Sequence, residues 1–189
     1  MMDKRIQIAK EKYDNVHNEL LKEGINLLSE IELVNASLSK LSAYVGVSKT
    51  TIYEHFQSSF PKFLSEVLTY SRDKLRNKYL NKFGDDPVNN IVTLFNEWHE
   101  EILKNKLFTK NAYAAYMLLK DTELMPKPLI ANDLNEQLSK LKIDKNQKDD
   151  FMSHYFYSSG VSMNADRSLL DKKITKIKDY LSLVSKNGR

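Results

Sequence analysis

The chain has no cysteine in its 189 residues, only 5 glycines, 4 prolines and one tryptophan. Without cysteine there is no disulfide framework, no thiolate nucleophile, no cysteine-based zinc finger and no iron–sulfur cluster. That usage fits a reducing compartment, and a cytoplasmic protein is the expectation. So few glycines and prolines do not supply an all-β chain with a turn every ten residues, nor a glycine-rich nucleotide-binding fold. No apolar run approaches the roughly 20 residues that a membrane-spanning helix needs, so no membrane partner is expected. The start, Met1-Met2-Asp3-Lys4-Arg5, leads into a mixed polar segment that does not read as a secretory signal. Charge of one sign is also scarce. There are 29 Lys and Arg against 25 Asp and Glu, a net +4, and residues 1–85 and 86–189 each carry +2 of it. A nucleic-acid partner is permitted by that balance and not announced by it.

What the chain does have is aromatic residues and helical periodicity. Ten Tyr, 8 Phe and the single Trp exclude disorder throughout. Ile6, Ala9, Tyr13, Val16, Leu20, Gly24 and Leu27 recur at three- and four-residue steps, predicting one helix over 4–30 with Asp3 as its N-cap. A second stripe from Phe60 to Phe83 predicts a long helix. Gly84-Asp85-Asp86-Pro87 ends it and starts another, with Asp86 as N-cap and Pro87 in the first turn. Further helices are expected over 107–121, from Leu129 to Leu141, from the Asp144 cap to about Met163, and after a Ser168 cap to the end. No strand-like alternation of useful length is present. The expectation is an all-α fold of about nine helices.

Residues 37–56, SLSKLSAYVGVSKTTIYEHF, differ from the rest. Two short helices fit, 38–45 and 48–55, with Gly46-Val47 between them. Ser42 or Ala43 supplies a small side chain where two helices cross, and Gly46 takes a positive φ without a Cβ penalty. Leu38, Leu41, Val45, Val47 and Ile52 pin both helices to a third, and Ser48 caps the second. This is the pattern of a helix-turn-helix, whose second helix is short and is expected to expose Lys49, Thr50, Thr51, Tyr53 and Glu54.

Gly46-Val47-Ser48-Lys49, then Ile52-Tyr53, then His55-Phe56, resembles the TetR family of bacterial transcriptional regulators. The resemblance is close over about 20 residues and looser over the first 70. It implies a helix-turn-helix head over 1–57, a connecting helix over 58–85, and a helical effector-binding and dimerisation domain over 86–189. It also implies a homodimer on a palindromic double-stranded DNA operator, released by a small molecule. Lys49, Thr50 and Thr51 are then the base readers. Ser37, Lys40, Ser48, Tyr53, His55 and Lys62 are the other DNA-binding candidates, with Tyr53 and His55 carried over as phosphate contacts. Glu32, Thr50 and Ser59 depart from the family pattern, and Glu54 puts an acid beside DNA. Glu32, Ser59 and Glu54 motivate the rival reading, a helical interaction or co-regulator protein that keeps the head fold without operator binding.

The body is expected to hold an aromatic pocket. Phe95, Trp98 and His99 share one helix face, Tyr113, Tyr116 and Met117 come from the next helix, and Phe151 and Tyr155 from the helix after Asp144. No Lys or Arg lies on these faces near Trp98, so the expected effector is hydrophobic and neutral or weakly cationic. A dimer is expected through the last two helices, by Ser158-Ser159-Gly160 and the stripe Leu170, Ile174, Ile177, Leu181, Val184. No enzyme is expected. There is no phosphate loop, nucleophile elbow or His-Glu-x-x-His, and Glu100-Glu101 and Asp149-Asp150 are adjacent pairs that face different ways. His17, His55, His99 and His154 have no metal-ligand spacing, so neither a metal nor a cofactor is expected.

Overall fold

The computed structural model describes residues 4–156 and 166–187, with side chains up to Val184. Among these residues there are nine α-helices and no strand: α1 (Lys4–Glu30), α2 (Leu38–Val45), α3 (Lys49–Phe56), α4 (Phe60–Leu80), α5 (Pro87–Lys104), α6 (Lys106–Leu119), α7 (Leu129–Lys140), α8 (Lys145–Phe151) and α9 (Arg167–Asn187). A 3-10 turn, Leu33–Asn35, follows α1, and a π-helical turn, Met152–Phe156, extends α8. The all-α expectation holds. Asp3 and the Ser158-Ser159-Gly160 stripe lie outside the described residues.

Helix boundaries follow local chemistry. Ser37, Ser48, Asp86 and Asp144 each accept a backbone N–H at the start of their helix. At Asp144 the cap is reciprocal, because the Gln147 side chain accepts the Asp144 N–H at 3.0 Å. The final helix is capped two residues earlier than the sequence suggested. Asp166, not Ser168, accepts the Leu169 N–H at 2.9 Å.

The chain forms two compact units, residues 1–71 with 110–126, and residues 72–109 with 127–189. The division differs from the sequence-based one, which placed 110–126 in the body. Two of its boundaries fall inside α4 and inside α6, where no turn signal marks them, and the third at Pro126, in the loop before α7.

In the first unit α2 packs on both α1 and α3. The core is built from Leu20, Leu28, Leu41, Ile52, Phe56 and Phe63, each at most 2% exposed. Gly24 lets α4 lie close to α1, since a Cβ there would meet Phe63 Cε2 and Val67 Cγ2 at 2.8 Å. The predicted α1 stripe buries only its second half. Ile6 and Tyr13 are exposed, and the buried face starts at Leu20. Asn111 on α6 closes the far end of α1. Its amide donates to the Leu28 and Ile31 carbonyls at 2.7 and 2.8 Å and its carbonyl accepts the Leu33 N–H at 2.9 Å. Those are orphan groups of a helix end and the turn after it.

In the second unit α5 packs on α7 and α9. Ile91, Leu94, Phe95, Leu134, Leu138, Phe151, Ile177 and Leu181 are fully buried. Asp133 anchors a polar cluster in this core. It takes a bidentate pair from Arg76 at 2.6 and 2.8 Å and a hydrogen bond from the Tyr79 hydroxyl at 2.6 Å. Burial alone would raise the Asp133 pKa, but these two donors hold it below the usual carboxylate value. The stripe expected to pair two subunits is used within the chain: Leu170, Ile177, Leu181 and Val184 are 0–7% exposed. An apolar seam at helical spacing serves either role, and here α5 covers it.

Candidate nucleic-acid interface

The helix-turn-helix is built as its residue types require. Gly46 closes α2 with φ 76°, and no atom lies within 4 Å of where its Cβ would stand. Glycine is there for the backbone, not for space. Of the two small residues offered for the crossing, Ser42 takes the place. It is buried, and its hydroxyl donates to the Val47 carbonyl at 2.7 Å, while Ala43 is exposed. Leu41 and Ile52 are 0% exposed and hold α2 and α3 to the core.

The candidate DNA-binding residues separate by exposure. Lys40, Ser48, Lys49 and Thr50 are exposed, and Lys49 and Thr50 stand in the first turn of α3. Thr51 is half-buried, and its hydroxyl lies 2.9 Å from Ser48 Oγ. Ser37 and Ser48 sit at helix N-termini, where the dipole and the leading N–H groups favour an anion. Ser37 Oγ accepts the Lys40 N–H at 3.1 Å, which leaves its own proton to donate. Tyr53 is exposed, with its hydroxyl 3.4 Å from Ser39 Oγ. Lys62 is half-buried and lies 3.8 Å from Glu66.

His55 does not fit the phosphate-contact expectation. It is 6% exposed and faces inward. Its Nδ1 lies 3.2 Å from His17 Nδ1, and its ring stacks on Tyr13 at 4.2 Å. The other His17 nitrogen stands 3.2 Å from Glu66 Oε2, a close contact without hydrogen-bond alignment. Burial, then the neighbouring His17, lowers the His55 pKa against the opposing pull of Glu54 and Glu66. Sequence reading missed Tyr13 and His17 as partners of α3. Their i, i+4 spacing on one face of α1 was the available signal.

Two departures from the family pattern have local uses. Glu32 pairs with Lys110 at 3.0 Å. Ser59 Oγ accepts the Lys62 N–H at 3.2 Å and so starts α4.

The expected pocket residues divide between the units. Phe95, Trp98, His99, Phe151 and Tyr155 gather in the second unit, with Phe95 6.1 Å from Trp98 and 6.1 Å from Phe151, and Tyr155 5.1 Å from Phe151. Phe95 and Phe151 are wholly buried and serve as core. Tyr113, Tyr116 and Met117 belong to the first unit, and Tyr113 and Met117 are exposed. Tyr180 and Phe156, not foreseen, complete the aromatic cluster at 5.7 Å from Tyr155 and 5.2 Å from Trp98.

His99 is 3% exposed, and among the described residues neither ring nitrogen has a hydrogen-bond partner. Burial, then the charge of Lys173, lowers its pKa to about 4, with Asp171 pulling the other way. The aromatic wall therefore has a cation beside it, which removes the ground for expecting a neutral or cationic effector. Among the described residues no group of three or more His, Asp or Glu could hold a metal ion, and no helix is long and apolar enough to cross a membrane.

No protein-family model matches the chain, and no curated protein matches it. Among solved structures it is similar to a TetR transcriptional regulator from Rhodococcus sp. RHA1, with a TM-score of 0.63 and 14% sequence identity. The match covers 93% of this chain and 97% of that one. From the serine-capped helix-turn-helix to the end of α9, the chain has the fold of a TetR transcriptional regulator.

Proposed function

We propose that the protein is a DNA-binding transcription regulator, with the first unit as the DNA-reading head and the second as the effector-binding and dimerisation body. The observation that carries this reading is α3 itself. It is a short helix with an N-cap serine, held by buried Ile52 and Phe56, that keeps Lys49, Thr50 and Tyr53 on its open side. Lys49 and Thr50 reach base edges, while Lys40, Tyr53, Ser37 and Ser48 hold phosphates and set the register. His55 acts from behind, through His17, to seat α3 on α1. A homodimer meets a palindromic operator, because two-fold protein symmetry matches two half-sites. The effector lowers DNA affinity by the difference in its binding to the DNA-competent and DNA-incompetent states. Repression is the expected sign of regulation.

The test is selection from a random duplex pool, followed by titration of the selected and scrambled duplexes. Lys49→Ala and Thr50→Ala are expected to narrow the gap between the two. Tyr53→Phe weakens both alike, by about 1 kcal/mol for one lost hydrogen bond. Exposed Glu54 favours the rival reading, a helical interaction protein that does not bind an operator. Failure to enrich any sequence, with no salt-dependent binding to either duplex, decides for that rival.

A further inference from the structure

The second unit holds two features that the DNA reading does not use. One is a cavity of about 680 Å³ between the π-helical turn and the start of α9. Its wall is apolar at Tyr155, Leu169 and Leu170 and cationic at Lys172, Lys173 and Lys176. The other is His99, buried and with both ring nitrogens unpartnered among the described residues. Lys173 joins the two: it lines the cavity, and its helix, α9, packs on α5, which carries His99 behind the wall. Buried polar groups nearly always have a partner, so a buried imidazole with none marks a place that a ligand completes.

We infer that the second unit binds an anionic amphiphile, an organic acid with an apolar tail, its carboxylate taken by Lys173 and His99 and its tail lying along Tyr155, Leu169 and Leu170. Each part of the site asks for that chemistry. A carboxylate offers up to four acceptor positions, and both Lys173 and a protonated imidazole are donors only. Charge-assisted bonds of this kind are the strong ones. A cationic head would be repelled by a wall that carries three lysines, and a neutral one would gain no charge-assisted bond from it.

The charges that bear on His99 come from α9, Lys173 lowering its pKa and Asp171 opposing that. On its own, with a pKa of about 4, His99 is neutral at pH 7. Burial is the larger cause of that low value and Lys173 the smaller, and a carboxylate hydrogen-bonded to the ring offsets both, favouring the imidazolium. Binding near neutral pH therefore takes up a proton. The inference gives the effector proposed above its chemical class, and so rests on that reading for its biological meaning only.

The experiment is calorimetric titration of the full-length chain with decanoate at pH 6.5, in two buffers of different ionisation enthalpy, with decanol and decylamine as comparisons. Trp98, at 5.2 Å from Phe156, reports binding independently by its emission. Decanoate is expected to bind at least tenfold more tightly than either comparison, with heats that differ between buffers as proton uptake requires. Lys173→Gln, on the cavity wall, is expected to weaken decanoate at least tenfold and leave decanol unchanged. His99→Phe keeps the ring packing and is expected to abolish the buffer dependence. Equal affinity for the three ligands, equal heats in the two buffers, or indifference to Lys173→Gln would each overturn the inference. If decanoate binds as described but does not release the selected duplex, the ligand class stands and the effector reading falls. If another molecule releases DNA while decanoate fails to bind, this inference alone falls.

Discussion

His99 shows what one side chain contributes when it is judged by what it does not touch. Leaving a buried polar group unpaired costs about 1–3 kcal/mol. His99→Phe, beside Phe95 at 6.0 Å, is therefore expected to stabilise the ligand-free chain by about that amount in urea titration at pH 7. The pH dependence follows from the same ring. Unfolded, the imidazole titrates near 6.5; folded, it does so at about 4. Between those values the unfolded chain binds more protons, so stability falls as pH drops through that window. The full loss is on the order of 3 kcal/mol. His55 is shifted in the same direction and adds to it. Thermal melts from pH 8 to pH 4 are expected to show this slope, and His99→Phe to flatten it. None of this was legible from position 99 alone. A histidine on an apolar stripe reads as core or as ligand contact, and only Lys173, from α9, separates the two. His55 was misplaced for a related reason: its carried-over role ignored the partner that α1 supplies at His17.

Helix ends were the most legible elements, because their causes lie within four residues. The caps at Ser48, Asp86 and Asp144 and the turn at Gly46 needed no distant partner, while the cap of α9 was placed two residues late, at Ser168 instead of Asp166. The two glycines of the first unit make the contrast testable. Gly46→Ala meets no atom within 4 Å, and its penalty is the left-handed backbone alone, about 1–2 kcal/mol. Gly24→Ala gains about 1 kcal/mol of helix propensity but forces a methyl against Phe63 and Val67 at 2.8 Å. Phe63 is 0% exposed and edge-on to Phe56 at 5.1 Å, so it has nowhere to go. Overpacking of that kind costs about 1–3 kcal/mol, and a net loss in chemical denaturation is expected. Gly24 was legible as a member of the α1 stripe, but not as the place where α4 comes close, which only tertiary packing reveals. The α9 seam failed in the same way, since its spacing could not say which helix would cover it.

The proposed dimer and operator belong to the scale of the whole molecule. Light scattering at micromolar concentration is expected to give about 44 kDa, twice the 22.0 kDa of one chain. Leu170, Ile177 and Leu181 are already buried within the subunit, so the proposed dimer is expected to use another face. The charge that meets phosphate is tested through salt. Each phosphate neutralised adds about 0.9 to the slope of log affinity against log salt. Lys40→Ala removes one such contact per protomer and is expected to lower the slope by about 2 if two heads bind together, and by about 1 if one does. The division between units was not legible, because what completes the first one is supplied from far along the chain. Asn111, Ala115 and Leu119 are buried, and Ser65 Oγ donates to the Leu124 carbonyl at 2.5 Å. The N-terminal helices that carry the helix-turn-helix are thus not a self-sufficient module. During synthesis they must wait, with the end of α1 uncapped, until residue 126 has left the ribosome. A fragment ending at residue 71 should aggregate when expressed alone and regain solubility when a peptide spanning 107–126 is supplied separately. A chain cut at the obvious place, after the helix-turn-helix, discards the clasp that closes it.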